Sequence, residues 1–404
     1  MKQVDVIVIG AGAAGLMCAA VAGQRGKKVI LIDHASVLAE KIRISGGGRC
    51  NFTNLTAGPQ NYLSDNPHFC KSALARYTPQ DFLALIKRYN IAWHEKHKGQ
   101  LFCTDSAEQI IAMLKAECQL GGVEIMMSTR ILALSKEADG YQLQVSKNDD
   151  NATVHQLQAA SVVIATGGLS IPKIGATDFA YRIAKQFDLP IIAPVPALVP
   201  LTFDAAAWQT FVPLAGIALE VDIETGSKKQ RGYFREDLLF THRGLSGPAV
   251  LQISSYWQAG SEIRINLLPE VDLAHQLIEE KSSSRKNLGN VLAHYLPTRL
   301  AEGWLQLGAY PADQRIADMQ DKTLRALGES INQWKITPNG SEGYKKAEVT
   351  RGGVDTRALS QQSMMVKNVP GLYFIGEAMD VTGWLGGYNF QWAWASGVAA
   401  GQSV

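Results

Sequence analysis

A glycine-rich turn near the amino terminus is the pattern with the most specific chemistry in this sequence. Gly10, Gly12 and Gly15 stand in a G-x-G-x-x-G spacing directly after an apolar run. In that spacing the first glycine permits a tight turn, the second lets backbone N–H groups approach a pyrophosphate, and the third allows a helix to pack closely on a strand. The pattern predicts that this turn, with Ala13 and Ala14, binds the pyrophosphate of a dinucleotide.

The elements around the turn must hold it against that ligand. Residues 4–9 form an apolar run typical of a buried parallel strand, 16–25 an alanine-rich stretch of helical character, and 28–32 a second strand. Asp33 follows, eighteen residues after Gly15, where a carboxylate can accept hydrogen bonds from ribose hydroxyls. A glycine turn framed by two strands and an acid indicates a complete nucleotide-binding unit.

A second glycine loop favours a flavin over a nicotinamide dinucleotide. Residues 41–54 place three consecutive glycines among basic side chains. Bare backbone can lie against an anionic or flat ligand, and the polar side chains can hydrogen-bond the edge of a heterocycle; the alternative is a basic solvated turn. The residues of this loop predicted to bind the cofactor are Lys41, Ser45, Gly46, Gly47, Arg49, Cys50, Asn51 and Asn54.

Two later segments complete the predicted cofactor site. Thr166 and Gly167 end a buried strand, where small residues let the chain pass beneath a long cofactor. Gly376 and Glu377 end another, and the acid can accept a hydrogen bond from a ribityl or ribose hydroxyl. A glycine loop then opens the last helix, near Tyr388, whose N-terminus can stabilise negative charge on a reduced flavin. The remaining predicted contacts are Ile131, Asp380, Gly386, Gly387, Asn389 and Gln391.

These motifs resemble those of the BaiN/RdsA family of NAD(P)/FAD-dependent oxidoreductases, which belong to the FAD-binding flavoproteins with two dinucleotide-binding folds. The resemblance implies a split Rossmann-like FAD domain, a β-rich domain and a small helical domain, with NAD(P)H as electron source in some members. Asp33 departs from the glutamate that is usual there. The matching segments are SGGGRCNFTN (45–54), ATGG (165–168), THRGLSGPAVLQIS (241–254), AEVTRGGV (347–354) and GWLGGYNFQWAWASG (383–397).

The order of strands and helices predicts an α/β fold of the doubly wound kind. Four prolines within 189–201 exclude a helix and a central strand and indicate a connection between domains. We expect the FAD-binding domain to comprise 1–191 and 341–404, with a β-rich cap at 192–268 and a helical cap at 269–340.

The predicted reaction is hydride transfer between the flavin and a small organic substrate. No second G-x-G-x-x-G follows a predicted strand, so NAD(P)H would dock transiently. His242 is a candidate proton donor or a locally bonded turn residue, and Tyr388 and Asn389 are candidates to line the isoalloxazine. Cys50 beside Arg49 suits a flavin contact or packing better than redox chemistry, because no resolving cysteine lies close in sequence.

Composition argues against binding to nucleic acid or to membranes. A net charge of +2 weighs against nucleic acid and anionic membranes, and a basic tract interleaved with aromatics is not evident. Residues 381–404 lack charge, but their glycines and polar side chains argue against a membrane span. The rival interpretations are an amine oxidase that uses O₂, an RNA-modifying flavoprotein and a redox sensor.

Five cysteines without C-x-x-C spacing indicate a reducing compartment, and we expect a cytoplasmic protein without a metal site; the oligomeric state stays open. These cysteines are Cys18, Cys50, Cys70, Cys103 and Cys118.

Overall fold

The computed structural model describes residues 1–148, 153–228 and 231–404. None of the helices in these ranges is long and apolar enough to cross a membrane. Among the same residues, no group of three or more histidine, cysteine, aspartate or glutamate side chains is placed to hold a metal ion.

The chain divides into two compact units. Unit 1 comprises Met1–Val195 and Val349–Val404, and unit 2 comprises Pro196–Glu348. The chain therefore leaves unit 1 after residue 195 and returns to it at residue 349. The domain boundaries at residues 191 and 340 stay a prediction.

The helices and strands follow in chain order. Residues 1–197 contain β1 (Lys2–Ile9), α1 (Ala13–Gln24), β2 (Val29–Ile32), α2 (Glu40–Ile44), β3 (Asn51–Asn54), β4 (Tyr62–Leu63), α3 (Lys71–Arg76), α4 (Pro79–Arg88), β5 (Trp93–Glu95), β6 (Gln100–Cys103), α5 (Glu108–Leu120), β7 (Glu124–Met126), β8 (Thr129–Glu137), β9 (Gly140–Lys147), β10 (His155–Ile164), α6 (Phe179–Gln186) and β11 (Ile191–Ala197). Residues 201–341 contain β12 (Leu201–Thr202), α7 (Ala205–Trp208), β13 (Ala218–Thr225), β14 (Gly232–Thr241), β15 (Gly244–Ser246), α8 (Pro248–Ser254), β16 (Ile263–Asn266), α9 (Leu273–Ser283), α10 (Leu288–Tyr295), α11 (Thr298–Leu307), α12 (Asp321–Asn332), β17 (Trp334–Ile336) and β18 (Gly340–Ser341). The last segment contains β19 (Val349–Val354), β20 (Leu372–Phe374), β21 (Thr382–Gly383) and α13 (Tyr388–Gly401).

A parallel sheet forms the centre of unit 1. Its strands β7, β2, β1, β10 and β20 lie side by side in that order. All four residues of β2 are buried, as expected for a parallel strand covered on both faces. The amino-terminal half of β10 pairs with β9, which pairs with β8, so an antiparallel meander extends the sheet. The predicted α/β fold with a Rossmann-like domain is confirmed.

Helices α1 and α13 pack closely in unit 1 because small residues face each other. A Cβ on Gly397 would lie 2.7 Å from the carbonyl oxygen of Ala14, and one on Gly401 would lie 2.8 Å from that of Cys18. Larger side chains at these glycines would push the helices apart.

The proline-rich segment forms an edge strand instead of a plain connection. β11 pairs with β19 in a two-stranded sheet and contains Pro194 and Pro196. Proline lacks an N–H donor, and an edge strand can leave one side of its backbone unpaired. The prolines therefore exclude a central strand, as predicted, without excluding every strand.

Unit 2 is built on an antiparallel sheet in the order β17-β16-β13-β14-β15-β12-β18. Helices α9 to α12 follow β16, where helical structure is predicted. The segment predicted to be helical, 269–340, also supplies β17 and the start of β18, which pair with β16 and β12. Trp208, Phe211 and Phe240 stack within the core of this unit.

Candidate functional site

The carboxyl ends of neighbouring parallel strands meet at one edge of the unit 1 sheet. Asp33 follows β2, Gly10 follows β1, Thr166 follows β10 and Gly376 follows β20. In doubly wound sheets, ligands bind outside this edge. The strand order therefore places the predicted residues that follow β2, β1, β10 and β20 next to one another at this edge.

The glycines of the first turn occupy two kinds of environment. A Cβ on Gly10 would lie 2.5 Å from the carbonyl oxygen of Ala165, and one on Gly15 would lie 1.8 Å from that of Gly10. A Cβ on Gly12 would contact nothing within 4 Å. Gly10 and Gly15 are therefore required for packing, whereas Gly12 borders open space.

Gly12 also begins helix α1, whose first turn includes Ala13 and Ala14. No side chain caps this helix, and its first turn contains no acidic residue. The first N–H groups of a helix have no acceptor within it and carry partial positive charge. This end of α1 can accept a phosphate.

Asp33 holds the glycine turn. Its carboxylate accepts hydrogen bonds from the N–H of Ala11, at 2.6 Å, and of Ala35, at 2.8 Å. Oδ1 also lies 3.5 Å from His34 Nδ1. A carboxylate has about four acceptor positions, so Asp33 keeps acceptor capacity for a ribose. The N–H of Thr129 donates to the Asp33 carbonyl at 2.9 Å, which places half-buried Ile131 on the strand beside it.

Thr166 carries a buried hydroxyl that has no hydrogen-bond partner among the described residues. Such a group costs about 1–3 kcal/mol when it stays unpaired. The next residue, Gly167, has a φ of +72°, and a Cβ there would contact nothing within 4 Å. An unsatisfied hydroxyl beside open backbone fits a polar ligand at the end of β10.

Lys41 and Glu377 come from different motifs and form an ion pair, with 2.6 Å between Nζ and Oε2. The other oxygen of Glu377 accepts from the N–H of Thr350 at 2.8 Å and from Ser170 Oγ at 3.0 Å. Thr350 Oγ1 in turn accepts from the N–H of Leu169 at 2.8 Å. Ser170 and Thr350 were not among the site residues predicted from sequence, although Thr350 lies in the matching segment 347–354.

The loop after α2 presents glycine backbone. Gly46, Gly47 and Gly48 have φ values of +58°, +66° and +84°, and a Cβ on Gly47 or Gly48 would contact nothing within 4 Å. Ser45 Oγ donates to the carbonyl of Ile42 at 2.8 Å and so closes the loop on α2. The backbone exposed at Gly46 and Gly47 can be approached closely by a ligand.

Cys50 and Arg49 differ sharply in exposure. The Cys50 side chain is fully buried, and burial raises the pKa of its thiol far above the ordinary value. A protonated, buried thiol is unreactive, so the geometry favours the packing interpretation. Arg49 is exposed and forms no ion pair with the described residues.

Two asparagines of β3 hold the loop that precedes α13. Asn54 Nδ2 donates to the carbonyl of Gly386 at 3.0 Å. In the amide orientation that satisfies both of its ends, Asn51 accepts from the N–H of Gly387 at 3.3 Å. Gly387 needs its glycine, because φ is +94° and a Cβ would lie 2.4 Å from the carbonyl oxygen of Thr53. The predicted loop at 41–54 and the glycine loop before α13 therefore form one structure.

The side chains of Asn389 and Gln391 are engaged within the protein. The Asn389 amide donates to the carbonyl of Gly383 at 2.9 Å and accepts from its N–H at 2.8 Å. Gln391 is fully buried, accepts from Thr53 Oγ1 at 2.6 Å and donates to the Tyr77 carbonyl at 2.8 Å. The ligand-facing groups of this region are thus the backbone N–H groups at the start of α13, which no side chain caps.

Tyr388 begins α13 in a network of hydroxyls. Its Oη lies 3.0 Å from Thr56 Oγ1, which donates to Asn54 Oδ1 at 2.8 Å. Because the Thr56 proton is used toward Asn54, Tyr388 is the donor to Thr56. Thr56 is a further residue that the sequence analysis did not single out.

Asp380 lies buried just before β21. One of its oxygens accepts from the N–H of Asp65 at 2.7 Å and from Ser64 Oγ at 3.2 Å. Burial raises the pKa of this carboxyl.

His242 belongs to unit 2, whereas the other predicted site residues belong to unit 1. It is exposed in the turn between β14 and β15. Its role as proton donor stays a prediction.

The residues of unit 1 fit FAD. The start of α1 and Gly12 would hold the pyrophosphate, Asp33 the ribose, and Thr166 with the start of α13 the flavin half. The unsatisfied Thr166 hydroxyl and the open space at Gly12, Gly47 and Gly167 are the observations that support this fit.

Sequence comparisons agree with that fit. The family model described as "HI0933-like protein Rossmann domain" matches residues 4–403. The chain is 51% identical over 407 residues to a ribosomal RNA dihydrouridine synthase of Escherichia coli, with 100% of this chain and 98% of that protein covered. It is 47% identical over 403 residues to the Haemophilus influenzae protein of the same name, with 98% of each covered. A 3-dehydro-bile acid delta(4,6)-reductase of Clostridium scindens is 26% identical over 414 residues, with 98% of each chain covered.

Solved structures share the fold at low identity. A 3-ketosteroid-Δ4-(5α)-dehydrogenase from Rhodococcus jostii aligns with a TM-score of 0.50 and 13% identity over 99% of this chain and 97% of that one. A quinol-fumarate reductase aligns with a TM-score of 0.51 and 14% identity over 100% of this chain and 70% of that one. These likenesses concern the fold alone.

Proposed function

The chain belongs to the HI0933-like Rossmann-domain family of FAD-binding oxidoreductases, and on that premise we propose that it reduces a carbon–carbon double bond conjugated to a carbonyl, with uridine in ribosomal RNA as substrate. The full-length identity of 51% to a ribosomal RNA dihydrouridine synthase is the observation that carries this proposal. An RNA substrate of this kind would be met in the cytoplasm, where the sequence analysis expects the protein.

Two relatives with different substrates support the same reaction class. Dihydrouridine is uridine with hydrogen added across C5 and C6, a double bond conjugated to the C4 carbonyl. A delta(4,6)-reductase of a 3-dehydro-bile acid acts, by its name, on double bonds conjugated to the 3-carbonyl. In such a reduction, a hydride adds at the end of the conjugated double bond that is farther from the carbonyl, which is C6 in uridine. A proton then adds at the carbon next to the carbonyl, which is C5.

The electrons require a donor, and we propose NAD(P)H. When bound, FAD would supply hydride-transfer chemistry between NAD(P)H and the substrate. Overall, the substrate would gain one hydride and one proton, and NAD(P)H would leave as NAD(P)⁺. The chain itself contributes orientation and charge. The uncapped start of α13 would stabilise negative charge beside it, and the ion pair of Lys41 with Glu377 would fix the ribityl side.

Tyr388 and His242 are the proposed sources of the proton. The Tyr388 hydroxyl already donates within a network, and His242 is exposed. Tyr388→Phe and His242→Asn separate the two: the variant that lacks the proton donor should reoxidise about 10²-fold more slowly with substrate, while its reduction by NAD(P)H stays unchanged.

The test has two halves that are measured separately. First, NADH or NADPH is added anaerobically to the FAD-loaded protein, and bleaching of the flavin band is followed; no bleaching with either would reject the donor. Second, the reduced protein is mixed with unmodified ribosomal RNA transcripts, and digested nucleosides are analysed by mass spectrometry. Dihydrouridine at a defined position is expected, and its absence under conditions that reduce the flavin would reject the RNA substrate.

A small conjugated carbonyl compound is the second candidate substrate, in keeping with the small-molecule partner that the sequence analysis expects. The bile acid reductase relative favours it. Rapid reoxidation of the reduced protein by a steroid enone, combined with no reaction on ribosomal RNA, would select this candidate. Oxygen consumption with an amine in the absence of NAD(P)H would instead select the oxidase alternative.

A further inference from the structure

We propose that the turn of the β5–β6 hairpin, residues 94–98, together with Arg49, forms the surface that contacts the phosphate backbone of an RNA substrate beside the flavin-binding loops. This inference rests on the proposed function. It concerns a surface for which neither the motifs nor the comparisons provide an assignment.

The hairpin carries a local concentration of positive and aromatic side chains. Residues 93–102 read WHEKHKGQLF, with two lysines, two histidines, one tryptophan and one phenylalanine against a single acid. Basic side chains interleaved with rings are typical of surfaces that bind single-stranded nucleic acid. With histidine neutral, this tract carries a net charge of +1 from Lys96, Lys98 and Glu95, out of +2 for the whole chain. It revises the expectation, drawn above from composition, that basic residues interleaved with aromatics are not evident.

The side chains of the hairpin are presented outward on a rigid base. Lys96, His97 and Lys98 are exposed. Phe102 supports two of the basic groups from beneath: Lys96 Nζ lies 5.6 Å from its ring centroid, and the His94 ring stacks on it at 6.1 Å. A lysine held against a ring loses less freedom on binding a phosphate than a free one does.

The single acid of the turn is engaged by the backbone. Glu95 Oε1 accepts from the N–H of Gly99 at 3.1 Å, so this carboxylate shapes the turn. Arg49 lies at the opposite end of β6 from the turn, where its carbonyl accepts from the N–H of Cys103 at 2.9 Å. The exposed side chains of Arg49, Lys96 and Lys98 are therefore distributed along the length of this small sheet.

The hairpin is joined directly to the proposed cofactor loops. β6 pairs with β3, so the turn emerges beside Asn54. Asn54 Nδ2 donates both to the carbonyl of Lys98, at 3.1 Å, and to that of Gly386, at 3.0 Å. A Cβ on Gly46 would lie 2.8 Å from the Phe102 ring. An RNA strand bound at the hairpin would therefore lie next to both glycine loops of the flavin half.

The test compares two pairs of lysines in the FAD-loaded protein. Lys96→Gln with Lys98→Gln removes the proposed contacts. Lys27→Gln with Lys28→Gln removes the same charge at the amino end of β2, the sheet edge opposite the site. FAD content verifies folding of both variants, and affinity for a ribosomal RNA transcript is measured at several salt concentrations.

For the hairpin variant we expect affinity to fall about tenfold or more and the slope of log affinity against log salt to become shallower by about 2, since each lysine on a phosphate contributes about 1. The control pair should leave both values near those of the unmodified protein. Arg49→Gln should shift the slope in the same direction by about 1.

Two failures are distinguishable. Unchanged affinity and slope in the hairpin variant, while the unmodified protein binds and reduces the RNA, would overturn the hairpin inference and leave the proposed function intact. Absence of RNA binding by the unmodified protein itself, with flavin reduction by NAD(P)H preserved, would overturn the RNA substrate and the hairpin inference together.

Discussion

Two glycine-rich turns of unit 1 look alike in sequence and differ in how they are built. The turn after β1 leads into α1, and the loop after β21 leads into α13; each helix begins without a side-chain cap. At Gly12 a Cβ would meet nothing within 4 Å, whereas at Gly387 it would lie 2.4 Å from a backbone oxygen. The first turn therefore borders open space at Gly12, whereas backbone already occupies the space beside Gly387.

The difference shows that a glycine motif contains two kinds of residue. Glycines that border space affect the ligand, and glycines that face backbone affect the fold. The side-chain amides of Asn51, Asn54 and Asn389 fix the shape of the second loop, whereas one carboxylate, that of Asp33, fixes the first turn. Substitutions at matched glycines can separate the two kinds.

The largest effect is expected for Gly387→Ala. The new Cβ would collide with the carbonyl of Thr53 in a backbone conformation that already disfavours alanine, so the free energy of unfolding should fall by about 3 kcal/mol or more. Gly47→Ala is the control, because it has a similar positive φ and no neighbouring atom; we expect a loss of about 1 kcal/mol. Denaturant unfolding of the apoprotein measures both, and equal losses would contradict the comparison.

Gly12→Ala should weaken FAD binding without destabilising the fold. Its φ lies in the ordinary extended region, so the free energy of unfolding of the apoprotein should stay within about 0.5 kcal/mol of the unmodified value. FAD affinity should fall about tenfold or more, since the methyl group would enter the space proposed for the pyrophosphate. Titration of the apoprotein with FAD measures this; retained affinity would place the pyrophosphate elsewhere.

A smaller effect is expected for Thr166→Val. The variant removes a buried hydroxyl that has no partner, so the apoprotein should be as stable as before or slightly more stable. FAD affinity should fall about threefold to tenfold, the value of one hydrogen bond. A loss of apoprotein stability with unchanged FAD affinity would mean that this hydroxyl serves the fold.

Local signals explain what the sequence predicts well. The strand predicted at 4–9 is observed at Lys2–Ile9, and the helix predicted at 16–25 is observed at Ala13–Gln24. An apolar run and a glycine turn are read from neighbouring residues, so their positions need no knowledge of the rest of the chain. The same holds for the final helix, predicted to begin near Tyr388 and observed to begin there.

Long-range pairing explains what the sequence does not predict. Lys41 and Glu377 meet although 336 residues separate them, and Thr350 joins them from a third segment. Periodicity carries no information on such partners. The sequence therefore identifies Lys41 and Glu377 as polar residues near a cofactor, but it does not show that each satisfies the other's charge.

The smallest effect is expected for Asp380, where the pH dependence of the free energy of unfolding tests the packing beside β21. Its folded pKa is raised by burial, so the ionised form is disfavoured in the native state. The resulting loss of stability is absent below the unfolded value near 3.9 and grows as pH rises toward the folded pKa. Asp380→Asn removes that charge, and the free energy of unfolding of the variant relative to the unmodified protein should therefore increase from pH 4 upward.

Asp355 provides the opposite control, because its hydrogen bond with Arg357 lowers its pKa. Asp355→Asn should lose relative stability as pH rises through that lowered value. Urea unfolding of the apoproteins across this range measures both slopes of relative unfolding free energy against pH.

Slopes of the same sign would show that neighbouring groups stabilise the carboxylate of Asp380. The region beside β21 would then be less tightly filled than the packing indicates.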